Sequence, residues 1–207
     1  METSEYVAAV RLDGGHLALD FVNTLGGSWE LPPEPQDEHL RSYQDLLAWS
    51  VRTGVLEERA ADRLWREADS RRASRVLAEA IEQREEAYAV LRALAEGREP
   101  SAEGLRGIEE KGRAALESAR LEPASDGSLR WTWEPSDDLR FPLRPLAWAT
   151  VELLGEGPLD RMKRCGGCRW LFLDQSKNRS RHWCSMEVCG TNAKKRRYVE
   201  RRRAARA

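Results

Sequence analysis

The sequence predicts an α+β chain that is mostly helical: a helical N-terminal domain with a small β-hairpin, then a small cysteine-bearing module with a basic C-terminal helix. Three observations carry this expectation. Apolar residues recur at helical spacing through most of residues 42–154. One short stretch alternates around an Asp-Gly turn. All four cysteines lie after residue 160, in a segment whose charge is opposite to that of the rest.

The elements follow in order. In the first apolar block, GGHLALDFVNTL (14–25), Leu17, Leu19 and Phe21 alternate as in a strand. ELPPEPQDE (30–38) reads as a Pro-rich acidic loop. Ser42 with Asp45 marks a helix start, Leu46, Leu47 and Trp49 follow, and Gly54 suits its stop. A second helix is expected over Glu57–Ala68. The clearest one runs from about Arg72 to Glu96, with Leu77, Ile81, Tyr88, Leu91 and Leu94 near helical spacing and Gly97 and Pro100 closing it. Ser101 opens another, to about Arg120, interrupted by Gly104, Gly107 and Gly112. Residues 120–134 read as a hairpin, with Asp126-Gly127 as the turn and Leu129, Trp131 and Trp133 in alternation. Pro142 and Pro145 precede an apolar helix, Leu146–Leu154, and Gly155 and Gly157-Pro158 mark a boundary. The expected domains are therefore 1–158 and 159–207.

Charge separates the same two parts. The 207 residues carry a formal net charge of −1. Residues 161–207 hold fifteen Lys+Arg against three Asp+Glu, a net of +12, which leaves −13 on residues 1–160. An acidic body with a basic end suggests a polyanionic partner for that end. No run of about 18 apolar residues exists, so no membrane helix is expected. METSEYVAAVRLDGG lacks a basic region followed by an apolar one, so no secretion signal is expected and the cytoplasm is the default location.

In a reducing compartment, four cysteines are better metal ligands than disulfide partners. Cys165-Gly166-Gly167-Cys168, Cys184 and Cys189 give the pattern C-x2-C-x15-C-x4-C. A glycine turn lets two thiolates approach one ion from the same side, and a second pair near a helix start completes a tetrahedron. Zn²⁺, borderline-soft and without geometric demand, suits four sulfurs, and a full set of cysteines argues for one closed, structural ion. His182 is an alternative to Cys184, and free thiols or a redox pair are alternatives to a metal site. Trp170 and Phe172 alternate as on a strand leaving the knuckle. The expected fold of this part is a treble-clef-like zinc finger. With the ion supplying most of its folding energy, loss of a ligand would unfold the finger and leave the helical domain intact.

After Cys189-Gly190 comes TNAKKRRYVERRRAARA, rich in helix formers and free of Gly and Pro. At about 100° per residue, Lys194, Arg197, Tyr198 and Arg201 share one stripe and Lys195, Arg202 and Arg206 the next. A solvated tail is the plain reading. The sharper one is a phosphate-contacting helix using Lys194, Lys195, Arg196, Arg197, Arg201 and Arg202, extended by Arg179 and Arg181 before Cys184.

RCGGCRWLFLDQSKNRSRHWCSMEVCGTNAKKRRY resembles the CGNR-type zinc finger of bacterial transcription regulators, through its C-x2-C, its W-L-F-x-D-x-S-x-N segment and its W-C-S-M segment. GGHLALDFVNTL, SYQDLLAWSVRTGVL and LRWTWEP resemble the ABATE domain joined to that finger. The resemblance covers nearly the whole chain. It implies a zinc-bound DNA-binding module in a regulator described as stress-related, nucleoid-associated when bound to DNA. Asp174, Ser176 and Asn178 carry over as loop residues. One departure stands out: the family's C-G-N-R reads Cys189-Gly190-Thr191-Asn192.

The N-terminal domain is then the place for a small-molecule or protein effector, with Trp29, Trp49 or Trp148 as candidate pocket residues, or for homodimer contacts. Asp20, Asn23 and Thr24 read as caps and turn formers. No nucleophile–base pair, phosphate-binding glycine loop or H-E-x-x-H is present, so no enzyme and no catalytic residue is expected. The rivals are an RNA-binding or protein-interaction module, with Trp170 and Trp183 stacking on bases, and a treble-clef nuclease using His182 and Asn178.

Overall fold

The computed structural model describes residues 5–28 and 33–204. Trp29, Arg206 and part of the Pro-rich loop lie outside the described residues. The fold is α+β and mostly helical. Its helices are α1 (Glu5–Ala9), α2 (Leu17–Val22), α3 (Tyr43–Arg52), α4 (Glu58–Glu67), α5 (Ser70–Ala95), α6 (Ala102–Leu116), α7 (Leu143–Glu156) and α8 (Thr191–Ala204). Two antiparallel hairpins, β1 (Ala119–Pro123) with β2 (Leu129–Trp133) and β3 (Met162–Arg164) with β4 (Leu171–Leu173), complete it. Among the described residues no helix is long and apolar enough to cross a membrane.

Local chemistry sets most boundaries. The Ser42 side chain accepts from the Asp45 N–H and Asp69 from those of Arg71 and Arg72, so both α3 and α5 start with a capped donor. Gly54 follows α3 at φ +76°, where a side chain would be strained. Asp126-Gly127 turns the first hairpin, with Gly127 at φ +81° and Asp126 accepting from the Ser128 N–H at 3.0 Å. α7 begins three residues earlier than its apolar pattern, because Pro145 falls in the first turn, where a missing N–H costs nothing. The Gly112 interruption of α6 has a packing cause: a Cβ there would lie 2.4 Å from Val151 Cγ2 of α7.

The strand-like alternation of residues 17–21 is overturned: this segment is α2. His16 Nδ1 accepts from the Ala18 N–H at 3.2 Å and caps it. The period of two is coincidental, because the helix is apolar on two sides. Phe21 enters a first core with Leu46, Leu47, Trp49, Leu64 and Phe141. Ala18, Leu19 and Val22 enter a second, with Leu91 of α5 and Leu153 of α7. Between α2 and α5, Arg84 is fully buried, forked onto Glu38 with two contacts of 2.7 Å, and also donates to Thr24 Oγ1 at 3.2 Å.

The second core also contains Met162, Leu171 and Leu173 from the cysteine-bearing part. β4 is therefore buried on both faces. Leu171 and Leu173 face the helical body, while Phe172, with Trp170 before the strand, belongs to the cluster around the cysteines. One edge of β4 pairs with β3, in register Met162↔Leu173 and Arg164↔Leu171. Its other edge is completed by the body: the N–H groups of Arg169, Leu171 and Leu173 donate to Gly27 O, Asn23 Oδ1 and Gly14 O at 3.1, 2.9 and 2.8 Å. Asn23 Nδ2 also donates to Leu171 O at 2.8 Å, so one amide side chain serves both backbone groups of a residue 148 positions away.

Replacing Asn23 with alanine should leave two buried backbone groups unpaired, at about 1–3 kcal/mol each. Urea titration should show a loss of roughly 2–6 kcal/mol. An unchanged midpoint would deny the clamp.

Candidate metal centre and nucleic-acid interface

The second hairpin carries the first cysteine pair. Between β3 and β4 the Cys165 N–H donates to Trp170 O at 2.9 Å and closes the turn. Gly166 approaches the Trp183 ring so closely that a Cβ would lie 2.9 Å from it. The chain then loops through 174–183 and returns with Cys184 beside the knuckle. Ser185 caps a wide π-type turn, Met186–Gly190, that carries Cys189 and leads into α8.

The four Sγ atoms lie within 4.8 Å of one another; Cys168–Cys184 and Cys184–Cys189 are both 3.6 Å apart. A tetrahedral ion with Zn–S bonds of about 2.3 Å needs sulfurs about 3.8 Å apart, so the set fits one zinc. Cys165, Cys184 and Cys189 are buried and Cys168 is half-buried, so the site is enclosed. Within their shared hydrogen-bond network the Cys168 and Cys184 thiols are pushed up, while hydrogen bonds from Cys168, then Cys184 and Cys189, push down that of Cys165. The Cys165 sulfur also accepts the N–H groups of Gly167 and Cys184 at 3.4 and 3.3 Å. Arg11, from the N-terminal segment, donates to Cys184 Sγ at 3.8 Å and lies 5.1 Å over the Trp170 ring. His182 is exposed, and its carbonyl accepts from Gly166 at 2.9 Å.

The 174–183 loop is organised by one buried carboxylate. Asp174 accepts from Lys163 Nζ at 2.7 Å, Ser176 N and Oγ at 3.0 and 2.6 Å, and Arg181 N at 2.9 Å. Burial pushes its pKa up, but these donors outweigh that and hold it well below the usual carboxylate range.

α8 has the opposite character. Ala193 is its one buried residue among those described. Lys194, Lys195, Arg196, Arg197, Arg201, Arg202 and Arg203 are exposed on about 21 Å of helix, with Glu200 as the single acidic residue. The arrangement is a rod of positive charge rooted at its N-terminal end in the metal centre.

Residues 15–157 match the family described as "Putative stress-induced transcription regulator", ABATE, and residues 161–202 match the CGNR zinc finger. The chain belongs to the ABATE family. Its C-terminal part is a CGNR zinc finger, whose four gathered cysteines suit one structural zinc ion. No curated protein matches the chain.

Within the ABATE body and the finger, the residues singled out in the sequence have different fates. Asp174 and Ser176 turn the loop and satisfy its N–H groups; Asn178 is exposed. Thr191, at the CGNR motif's Asn position, uses its hydroxyl on Met186 O at 3.2 Å, and Asn192, at its Arg position, is exposed. Arg179, at φ +51°, reaches Asp160 at 2.6 Å. The Arg181 guanidinium turns inward, donating to Trp183 O and Cys184 O over the Phe172 ring. Trp170 is buried and donates to Leu25 O at 3.2 Å. Trp49 is wholly buried beside Phe21, and Trp148 meets Trp131 edge-on at 6.0 Å. Asp20 accepts the Gly14 N–H at 2.8 Å, and burial pushes its carboxyl up to about 6.

Sequence reasoning missed Arg11, Asn23 as a strand clamp, Arg84 with Glu38, and Tyr88, whose hydroxyl donates to Arg169 O at 3.0 Å. A basic residue recurring on the apolar side of a long helix was the one signal available, for Arg84.

Proposed function

We propose that this chain is a zinc-dependent, duplex-DNA-binding transcription regulator of the cytoplasm. In this reading Cys165, Cys168, Cys184 and Cys189 ligate one structural zinc, α8 contacts phosphates, and the ABATE body receives a signal. The observation that carries it is α8: seven exposed cations on a helix with one buried residue, anchored through Cys189 to the metal centre. Such a surface has no packing role, and a line of guanidinium and ammonium groups matches a phosphate backbone. Lys194, Lys195, Arg196, Arg197, Arg201 and Arg202 are the proposed contacts. Arg179 lies at the edge of that surface, and Arg181 contributes mainly by holding the finger's own carbonyls.

The rivals have less support. Base stacking by Trp170 would require breaking its contacts with Leu25 and Arg11. A nuclease would need an open metal position, whereas four cysteines close the coordination shell.

The test is a salt titration of duplex binding. Each neutralised phosphate contributes about −0.9 to the slope of log K against log salt. With five to seven contacts, the expected slope is about −4.5 to −6.3. A flat dependence, or tighter binding of single-stranded RNA or an acidic polypeptide than of duplex, would overturn the reading.

A further inference from the structure

We propose that the ABATE body has a binding site for a planar aromatic monocarboxylate, in the cavity between the α3–α4 turn and the tryptophan-bearing strand β2. The inference deepens the signal-receiving role proposed above and rests on it. The cavity measures about 430 Å³, within the 300–1,000 Å³ typical of small-molecule sites. Val55 and Leu56 line it from the turn, Trp131 and Trp133 from β2, and Phe141 from the approach to α7. A second cavity of about 330 Å³ shares the two tryptophans and lies along α7.

The walls specify the ligand. Aromatic and branched side chains on both sides match a flat ring system better than a flexible polar molecule. Trp133 is fixed, since its Nε1 donates to Ala115 O at 2.8 Å, and Trp131 is braced edge-on by Trp148. Arg130 contributes to both cavities. Its ion pair with Asp126 spans 3.7 Å between side chains each more than half exposed, so a ligand carboxylate competes with it easily. Swung from Asp126 toward the apolar slot, its guanidinium would select an aromatic acid. Glu57, on the turn side, favours one carboxylate over two.

Leu17 also lines this cavity and is the first residue of α2; Asn23, immediately after that helix, clamps β4 of the finger. A ligand touching Leu17 is therefore one short helix away from the metal-bearing hairpin.

The test uses the full, zinc-loaded chain without DNA, so that its failure and that of the DNA-binding reading are separable. Tryptophan fluorescence is titrated with 2-naphthoate and with its uncharged analogue 2-naphthalenemethanol. The expected result is one saturable naphthoate site per chain, with the alcohol about tenfold weaker, the size of one charge-assisted hydrogen bond. Arg130→Gln should erase that preference, and Val55→Trp, which fills the cavity, should abolish saturable binding. Circular dichroism confirms that both variants are folded. Non-saturable quenching, equal affinity for acid and alcohol, or binding untouched by Val55→Trp would overturn the proposal.

Discussion

Stripping zinc with a chelator, or replacing Cys184 with serine, is expected to lower the melting temperature of the helical body as well as unfold the finger. Structural zinc contributes roughly 10–16 kcal/mol, apparent, in finger peptides. Without it, the short hairpin Met162–Leu173 has no core of its own on the Phe172 face. Its other face carries Met162, Leu171 and Leu173, which fill the second core of the body. Burying each such side chain is worth about 1.5–3 kcal/mol, so detachment removes roughly 4–9 kcal/mol from the body. That is comparable with the whole net stability of a domain. At about 2–4 °C per kcal/mol for a chain of this size, the melting point should fall by at least about 8 °C. Far-UV circular dichroism reports it, since most helical residues lie outside the finger. The shared core thus gives a different expectation from the sequence pattern, in which the helical part survives ligand loss unaltered. A body melting point unmoved by chelation would show that the hairpin stays docked without its ion.

Truncation after Gly190 should behave in the opposite way. α8 contributes one buried residue, Ala193, so its removal should leave zinc content at one per chain and change the melting point little. Duplex affinity at low salt should nevertheless fall by roughly a hundredfold or more, and most of the salt slope should vanish with it. A charge-reversed chain with Lys194, Arg197 and Arg201 changed to glutamate should reproduce much of the loss without shortening the helix. A truncated protein that binds duplex as tightly as the full chain would move the interface elsewhere on the molecule.

The elements legible in the sequence are those governed by near neighbours. Ser42 announced its helix, Asp126-Gly127 its hairpin, and the glycine knuckle its pair of thiols, because each acts within a few residues. The cysteine spacing anticipated a gathering of four sulfurs, which the fold brings within 4.8 Å. What escaped depends on distant partners. The strand-like pattern of α2 misleads because both its sides are covered, one by α3 and the other by a strand about 150 residues later, so no polar stripe marks the helical period. Asn23 reads as a cap or turn former and is the C-cap of α2; only its amide's reach to Leu171 is hidden. Arg181 reads as a phosphate contact from the sequence, and the fold adds its donation to the carbonyls of Trp183 and Cys184.

The reach of the N-terminal segment across the molecule bears on biosynthesis. Gly14, Asn23 and Gly27 dock β4, and Arg11 touches Cys184. All four emerge from the ribosome long before the segment they hold. Until residues beyond 160 are made, Leu19 and Val22 face an unfilled notch in a nascent chain, the kind of sticky intermediate that chaperones shield. The complete ligand set exists only once Cys189 is made, so zinc scarcity during growth would show first as aggregated protein.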